Sequence, residues 1–201
     1  MGKSRKSFPY PAILAIIAIV VAFFVIRGVS DQGNNNDTYE SSYNRNTYTD
    51  SYTSTPQTGN SGALSRAQSY LRSSAFSYEG LIDQLEYEGF STSEATYAAK
   101  NCGANWNEQA VKCAKSYLRS SGGFSYEGLL DQLEYEGFTS SQAKYGVDHC
   151  GANWNEQAVK CAKSYMRTFS GWSKSELIDQ LEYEGFTYSQ AKYGADHCGS
   201  F

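Results

Sequence analysis

The hydrophobic pattern of the chain changes twice. Pro11 to Ile26 is an unbroken apolar run, residues 28–62 carry almost nothing apolar beyond Val29 and scattered Tyr, and from Ala63 onward apolar positions recur at the three-to-four-residue spacing of amphipathic helices. That last region repeats itself. DQLEYEGF occurs at Asp83, Asp131 and Asp179, and CGANWNEQAVKCAKSY occurs at Cys102–Tyr117 and again, unchanged, at Cys150–Tyr165. The period is 48 residues, except that Ala75–Phe76 replaces Gly122–Phe124 and shortens the first unit by one.

Each unit reads as three helices. The first opens at Asn105-Trp106-Asn107-Glu108, where an Asn cap with Glu three residues on suggests a capping box, and buries Ala110, Ala114, Tyr117 and Leu118. The second starts at Ser125, carries Leu129, Leu130 and Leu133, and stops at Gly137 ahead of a core Phe138. The third begins with a further capping box (Ser91–Glu94, Thr139–Gln142, Thr187–Gln190), continues through Ala143, Gly146, Val147 and Cys150, and ends at Gly151. About two residues separate helices two and three, the sharp connection of a helix-turn-helix. The expected fold class is all-α, with repeats over 63–103, 104–151 and 152–201.

Ahead of the repeats, Lys3, Arg5 and Lys6 precede the apolar run and Arg27 follows it. With Phe8 and Tyr10 as interfacial residues, the run approaches the roughly 20 residues of a membrane span, and the basic cluster keeps the N-terminus cytoplasmic. Residues 1–27 are therefore expected to be an uncleaved, single-pass anchor with the repeats extracellular. A cleaved signal peptide ending near Gly28 or Ser30 competes with this, and Arg27 argues against it. No lipobox is present, since the first Cys is Cys102. The Asn-, Ser-, Thr- and Tyr-rich segment 28–62 has too little apolar surface to offset its ordering entropy and is expected to be a disordered spacer.

Charge narrows the function. From Ala63 to Phe201 there are 12 Lys/Arg against 17 Asp/Glu, a net charge of −5, and the second helices are acidic, so the basic footprint of a nucleic-acid binder is missing. The chain has two His, at equivalent positions 149 and 197, and no Ser-His-Asp, phosphate-loop or HExxH pattern. The expectation is no enzyme, cofactor, metal or small-molecule substrate. Each His lies beside a Cys, which raises zinc as an alternative, but C-x2-C spacing is lacking and the first unit has Asn101 there.

Outside the cytoplasm, five Cys suggest disulfides. Neighbours could pair across unit junctions (Cys102–Cys113, Cys150–Cys161), or helices one and three could pair within units (Cys113–Cys150, Cys161–Cys198). Arg66, at the Cys position of a first unit with no unit before it, favours the junction scheme.

Binding remains. Two positions past an inward Leu, Tyr87 should point outward between Glu86 and Glu88, and Glu134-Tyr135-Glu136 and Glu182-Tyr183-Glu184 repeat the arrangement. These nine residues form the candidate surface for another protein. The alternative is that the tyrosines cover helix joints and the glutamates only solvate the surface.

The series Ala114–Leu118, Phe124–Phe138, Thr139–Tyr145 and Asn153–Ala158, with its counterparts in the other units, resembles the repeat of the Ltp family of host cell surface-exposed lipoproteins. The resemblance implies tandem three-helix domains held outside a Gram-positive membrane. It further implies superinfection exclusion, in which phage DNA injection is blocked by engaging the phage tape measure protein. The chain departs from that family in carrying an apolar anchor in place of a lipidated Cys. A structural or adhesive envelope protein without a phage role is the alternative.

Overall fold

A computed structural model describes residues 59–120, 122–169 and 171–199. The expected anchor, and the expected spacer as far as residue 58, lie outside the described residues. Among the described residues the chain is all-helical, and no helix there is long and apolar enough to cross a membrane. The helices are α1 (Asn60–Ser73), α2 (Tyr78–Tyr87), α3 (Thr92–Asn101), α4 (Trp106–Ser120), α5 (Tyr126–Tyr135), α6 (Ser140–His149), α7 (Trp154–Thr168), α8 (Lys174–Tyr183) and α9 (Tyr188–His197). Helix α1 begins at Asn60, so the last residues assigned to the spacer are ordered. Gly62 is buried, and the Ala63 amide donates to the Gly59 carbonyl at 3.0 Å.

Local sequence accounts for the helix ends. Asn153 caps α7 by accepting from the amides of Asn155 and Glu156, and Asn105 does the same for α4; in α7 this is a simple cap rather than the expected box. Ser91, Thr139 and Thr187 each form the full capping box. Each second helix stops in a Schellman turn. In α5 the Phe138 amide donates to the Leu133 carbonyl and the Gly137 amide to that of Glu134, with Gly137 at φ +85°. This turn folds Phe138 (3 % exposed) back into the core.

The helices assemble in threes: α1–α3, α4–α6 and α7–α9. In each unit two leucines of the second helix are completely buried (Leu81 and Leu85, Leu129 and Leu133, Leu177 and Leu181), each stabilising the unit by about 1.5–3 kcal/mol. First and third helices meet along small residues. A Cβ on Gly146 would sit 2.9 Å from Ala110 backbone, so α4 and α6 touch main chain to main chain. The same holds for Gly194 and Ala158 in α9 and α7, at 2.8 Å.

The expected junction disulfides Cys102–Cys113 and Cys150–Cys161 are not formed, and all five cysteines are free thiols. Each packs into its own unit instead. Cys102 lies against the core of α1–α3 with its thiol donating to the Ala99 carbonyl, whereas Cys161 and Cys198 belong to the core of α7–α9. Burial raises the Cys161 thiol to about 12 and pushes Cys113 further still, leaving both as apolar core groups.

Other groups hold the junctions. Ser77, the cap of α2, accepts from its own Gly80 amide and donates its hydroxyl 2.5 Å to the Glu136 carbonyl at the end of α5; Ser125 does the same for Gly128 and Glu184. Beside each serine an aromatic pair crosses the junction edge to face, Tyr78 with Trp106 and Tyr126 with Trp154, with centroids 5.5 Å apart. Gly123 fits against α7 so closely that a Cβ there would meet the Gln157 carbonyl at 2.5 Å. Lys160 donates to the Leu118 carbonyl at 3.0 Å, tying α7 to the end of α4.

Candidate partner-binding surface

The Schellman turn sets the geometry of the candidate surface. It places Leu85, Leu133 and Leu181 inward and turns the next residues but one outward, so Tyr87, Tyr135 and Tyr183 are 71, 70 and 56 % exposed. Glu134 and Glu182 are exposed beside them, and Glu86 is half-buried. Along α2 and α5 every charged side chain is acidic, and Lys174 is the one cation on α8. Since each serine joins the start of one second helix to the end of the next, Glu79, Asp83, Glu127, Asp131 and Asp179 extend the acidic face across the junctions.

The remaining three candidates have a different setting. Glu136 folds back to accept from the Tyr117 hydroxyl and, at 3.0 Å, from Gln132 Nε2, which also reaches Tyr117 at 3.2 Å. Glu184, Tyr165 and Gln180 repeat this network. Burial first, and then the bond to the carboxylate, pushes both tyrosine hydroxyls far above their ordinary value. In the first unit Arg66, standing where Cys113 and Cys161 stand in the others, pairs with Glu88 alongside the Tyr70 hydroxyl. Burial alone would raise the Glu88 carboxyl, but the guanidinium and the hydroxyl outweigh it and hold the group below the ordinary glutamate range. Glu88, Glu136 and Glu184 therefore brace their units, while the other six candidates line the outer face.

Sequence reasoning missed these networks and the junction serines. A signal existed for the first, because Gln and Glu four apart, as in Gln132 and Glu136, are neighbours on a helix. The histidines are engaged locally. His149 and His197 stack on Tyr145 and Tyr193 with centroids 3.9 and 4.0 Å apart, and Nδ1 of each lies 2.8 Å from the carbonyl of that tyrosine. Among the described residues no group of three or more His, Cys, Asp or Glu could hold a metal ion.

Three contiguous segments, residues 59–102, 105–150 and 153–198, match the family described as host cell surface-exposed lipoprotein, Ltp. They coincide with the three helical units. The chain belongs to this family. Among solved structures it is similar to that of Ltp, a superinfection exclusion protein from the Streptococcus thermophilus temperate phage TP-J34, with 30% identity over 46% of this chain and 95% of the other, and a TM-score of 0.44. No curated protein matches the sequence. Membership describes a family exposed at the host cell surface, the side of the membrane on which the repeats were expected.

Proposed function

We propose that the chain is a non-enzymatic binding array, tethered at the cell surface by its N-terminal segment, that blocks phage DNA injection by capturing a phage protein, with the tape measure protein as the leading candidate. What carries the reading is the row of exposed tyrosines 87, 135 and 183 among carboxylates on successive second helices. Such a face suits an extended basic partner, for which tyrosine supplies contact area at low entropic cost and the carboxylates supply steering. Family membership and the exclusion role named for the Ltp of phage TP-J34 motivate the phage assignment.

The test is expression in a phage-sensitive host, with adsorption and intracellular phage DNA scored separately. Normal adsorption with loss of DNA inside the cell is the expected result, and unchanged DNA across a broad phage panel would favour a structural or adhesive envelope role. Charge reversal belongs at Glu134→Lys with Glu182→Lys, because Glu136 and Glu184 brace their units. Protection should be lost while the helical circular dichroism stays intact. Full protection by that variant would refute the acidic face as the binding surface.

A further inference from the structure

We infer that the outer faces of α4 and α7 form a second interaction surface, which lays the array on the anionic phospholipid headgroups of the membrane. The two helices bury Ala110, Ala114 and Tyr117, and Ala158 and Ala162. On the opposite side, at positions three and seven apart, stand Lys112, Lys115 and Arg119, and Lys160, Lys163 and Arg167, all exposed. None of the six takes part in the ion pairs of the described residues, whereas the cations of α6 and α9, Lys144 and Lys192, are paired with Asp148 and Asp196. Glu108 and Glu156, one turn before the first lysine, are the acids of these helices, so each outer face keeps a net positive charge.

The bond from Lys160 to the Leu118 carbonyl holds that ammonium at the junction and ties α7 to the end of α4, so the cations of the two helices stand on adjoining units. Beyond Arg167, Phe169 is 46 % exposed, an aromatic suited to the headgroup boundary. The acids of the array sit mainly on the second helices, so a domain of negative net charge still presents a cationic side to an anionic bilayer. This inference rests on the surface tether proposed above, which keeps the array within reach of the membrane and makes a weak attraction effective. Phospholipid is preferred to a soluble polyanion because the tether holds the bilayer at high local concentration.

The test is amine acetylation of the full-length chain with vesicles of phosphatidylcholine alone or mixed with phosphatidylglycerol, read lysine by lysine. Lys112, Lys115 and Lys163 should react several-fold more slowly in the anionic vesicles, with Lys100, Lys144 and Lys192 as internal references, and 0.5 M salt (about a 4 Å Debye length) should restore their reactivity. Equal rates in the two lipids, equal protection of the reference lysines, or protection that salt leaves unchanged would each overturn the inference. So would equal protection by soluble polyphosphate without anionic lipid, which would identify a free polymer as the ligand. As a second readout, the triple variant Lys112→Gln, Lys115→Gln, Arg119→Gln should lose protection at Lys163; retained protection would count against one joined surface. Phage exclusion with lipid-independent lysine rates would leave the proposed function standing and remove this inference alone.

Discussion

The residues that build the interior junctions have equivalents in the first and third units that behave differently. At a junction the cap serine of a second helix reaches the carbonyl at the end of the next unit's second helix, and a tyrosine meets a tryptophan. In the third unit, Lys174 replaces that tyrosine and pairs with Asp196, and Glu176 replaces the glycine and closes a capping box that engages Ser173 within its own helix. In the first unit Gly59 stands where Trp106 and Trp154 stand, and Gly62 where Gln109 and Gln157 are buried. Lys174 and Ser173 are thus satisfied within the third unit, whereas Tyr78, Tyr126, Ser77 and Ser125 reach into the next one.

The sharpest way to break the comparison is with matched glycines. Gly123 and Gly171 both have positive φ, but a Cβ on Gly123 would enter α7 while one on Gly171 would meet nothing within 4 Å. Gly171→Ala should cost only the backbone penalty of about 1–2 kcal/mol. Gly123→Ala should cost more than about 3 kcal/mol, because overpacking adds to that penalty. Urea denaturation of the two variants checks the gap, and equal losses would mean the junction is looser than described.

The serines come next. Ser77→Ala removes a cap and leaves the Glu136 carbonyl unpaired, an expected loss of roughly 2–4 kcal/mol, against about 1 kcal/mol for Ser173→Ala, which loses only a cap. The same denaturation series measures both.

A smaller effect separates the first unit from the others. The Glu88 carboxyl is held below its ordinary value, so its pairing with Arg66 stabilises fully above the unfolded glutamate pKa and is lost as pH falls through the lower folded one. Since Arg66 is substantially exposed, Arg66→Ala should cost under about 1 kcal/mol at neutral pH, and the difference from wild type should vanish in acid. Acid-dependent unfolding curves of the two proteins show whether it does.

The smallest effect is local. Hydrogen bonds from Lys174 and Lys192 lower Asp196 to about 2, and Lys174→Tyr, which recreates the interior residue, should move its NMR titration midpoint up toward the ordinary carboxylate range. An unmoved midpoint would show that Lys192 alone sets it.

Helix periodicity and the caps of the second and third helices were readable, because Ser91–Glu94, Leu129, Leu133, Gly137 and Phe138 act within one or two turns; the box expected at the first helices is a simple Asn cap in α7, and α1 starts earlier than expected. The outward placement of Tyr87, Tyr135 and Tyr183 followed from the same local logic. What joins one unit to the next was not legible. Ser77 reads as an ordinary cap, and its second bond spans 59 residues. The Gly122-Gly123 pair reads as a length difference until α7 is seen against it. The cysteines misled because compartment and count favour bridges, while all five are free thiols: the junction partners pack into different units, and Cys161 and Cys198, which share a core, stay unbridged in it.

The two junctions are built from equivalent residues, Ser125 standing to Glu184 as Ser77 stands to Glu136. An additional copy of the middle unit, residues 104–151, inserted in frame between residues 151 and 152, would find a compatible partner on both sides. Length is then an inherited variable that duplication can change without new packing solutions, and each added copy contributes one more acidic tyrosine site. Under the proposed function, avidity for a long partner would follow from gene copy events inside the repeat rather than from refinement of any single contact.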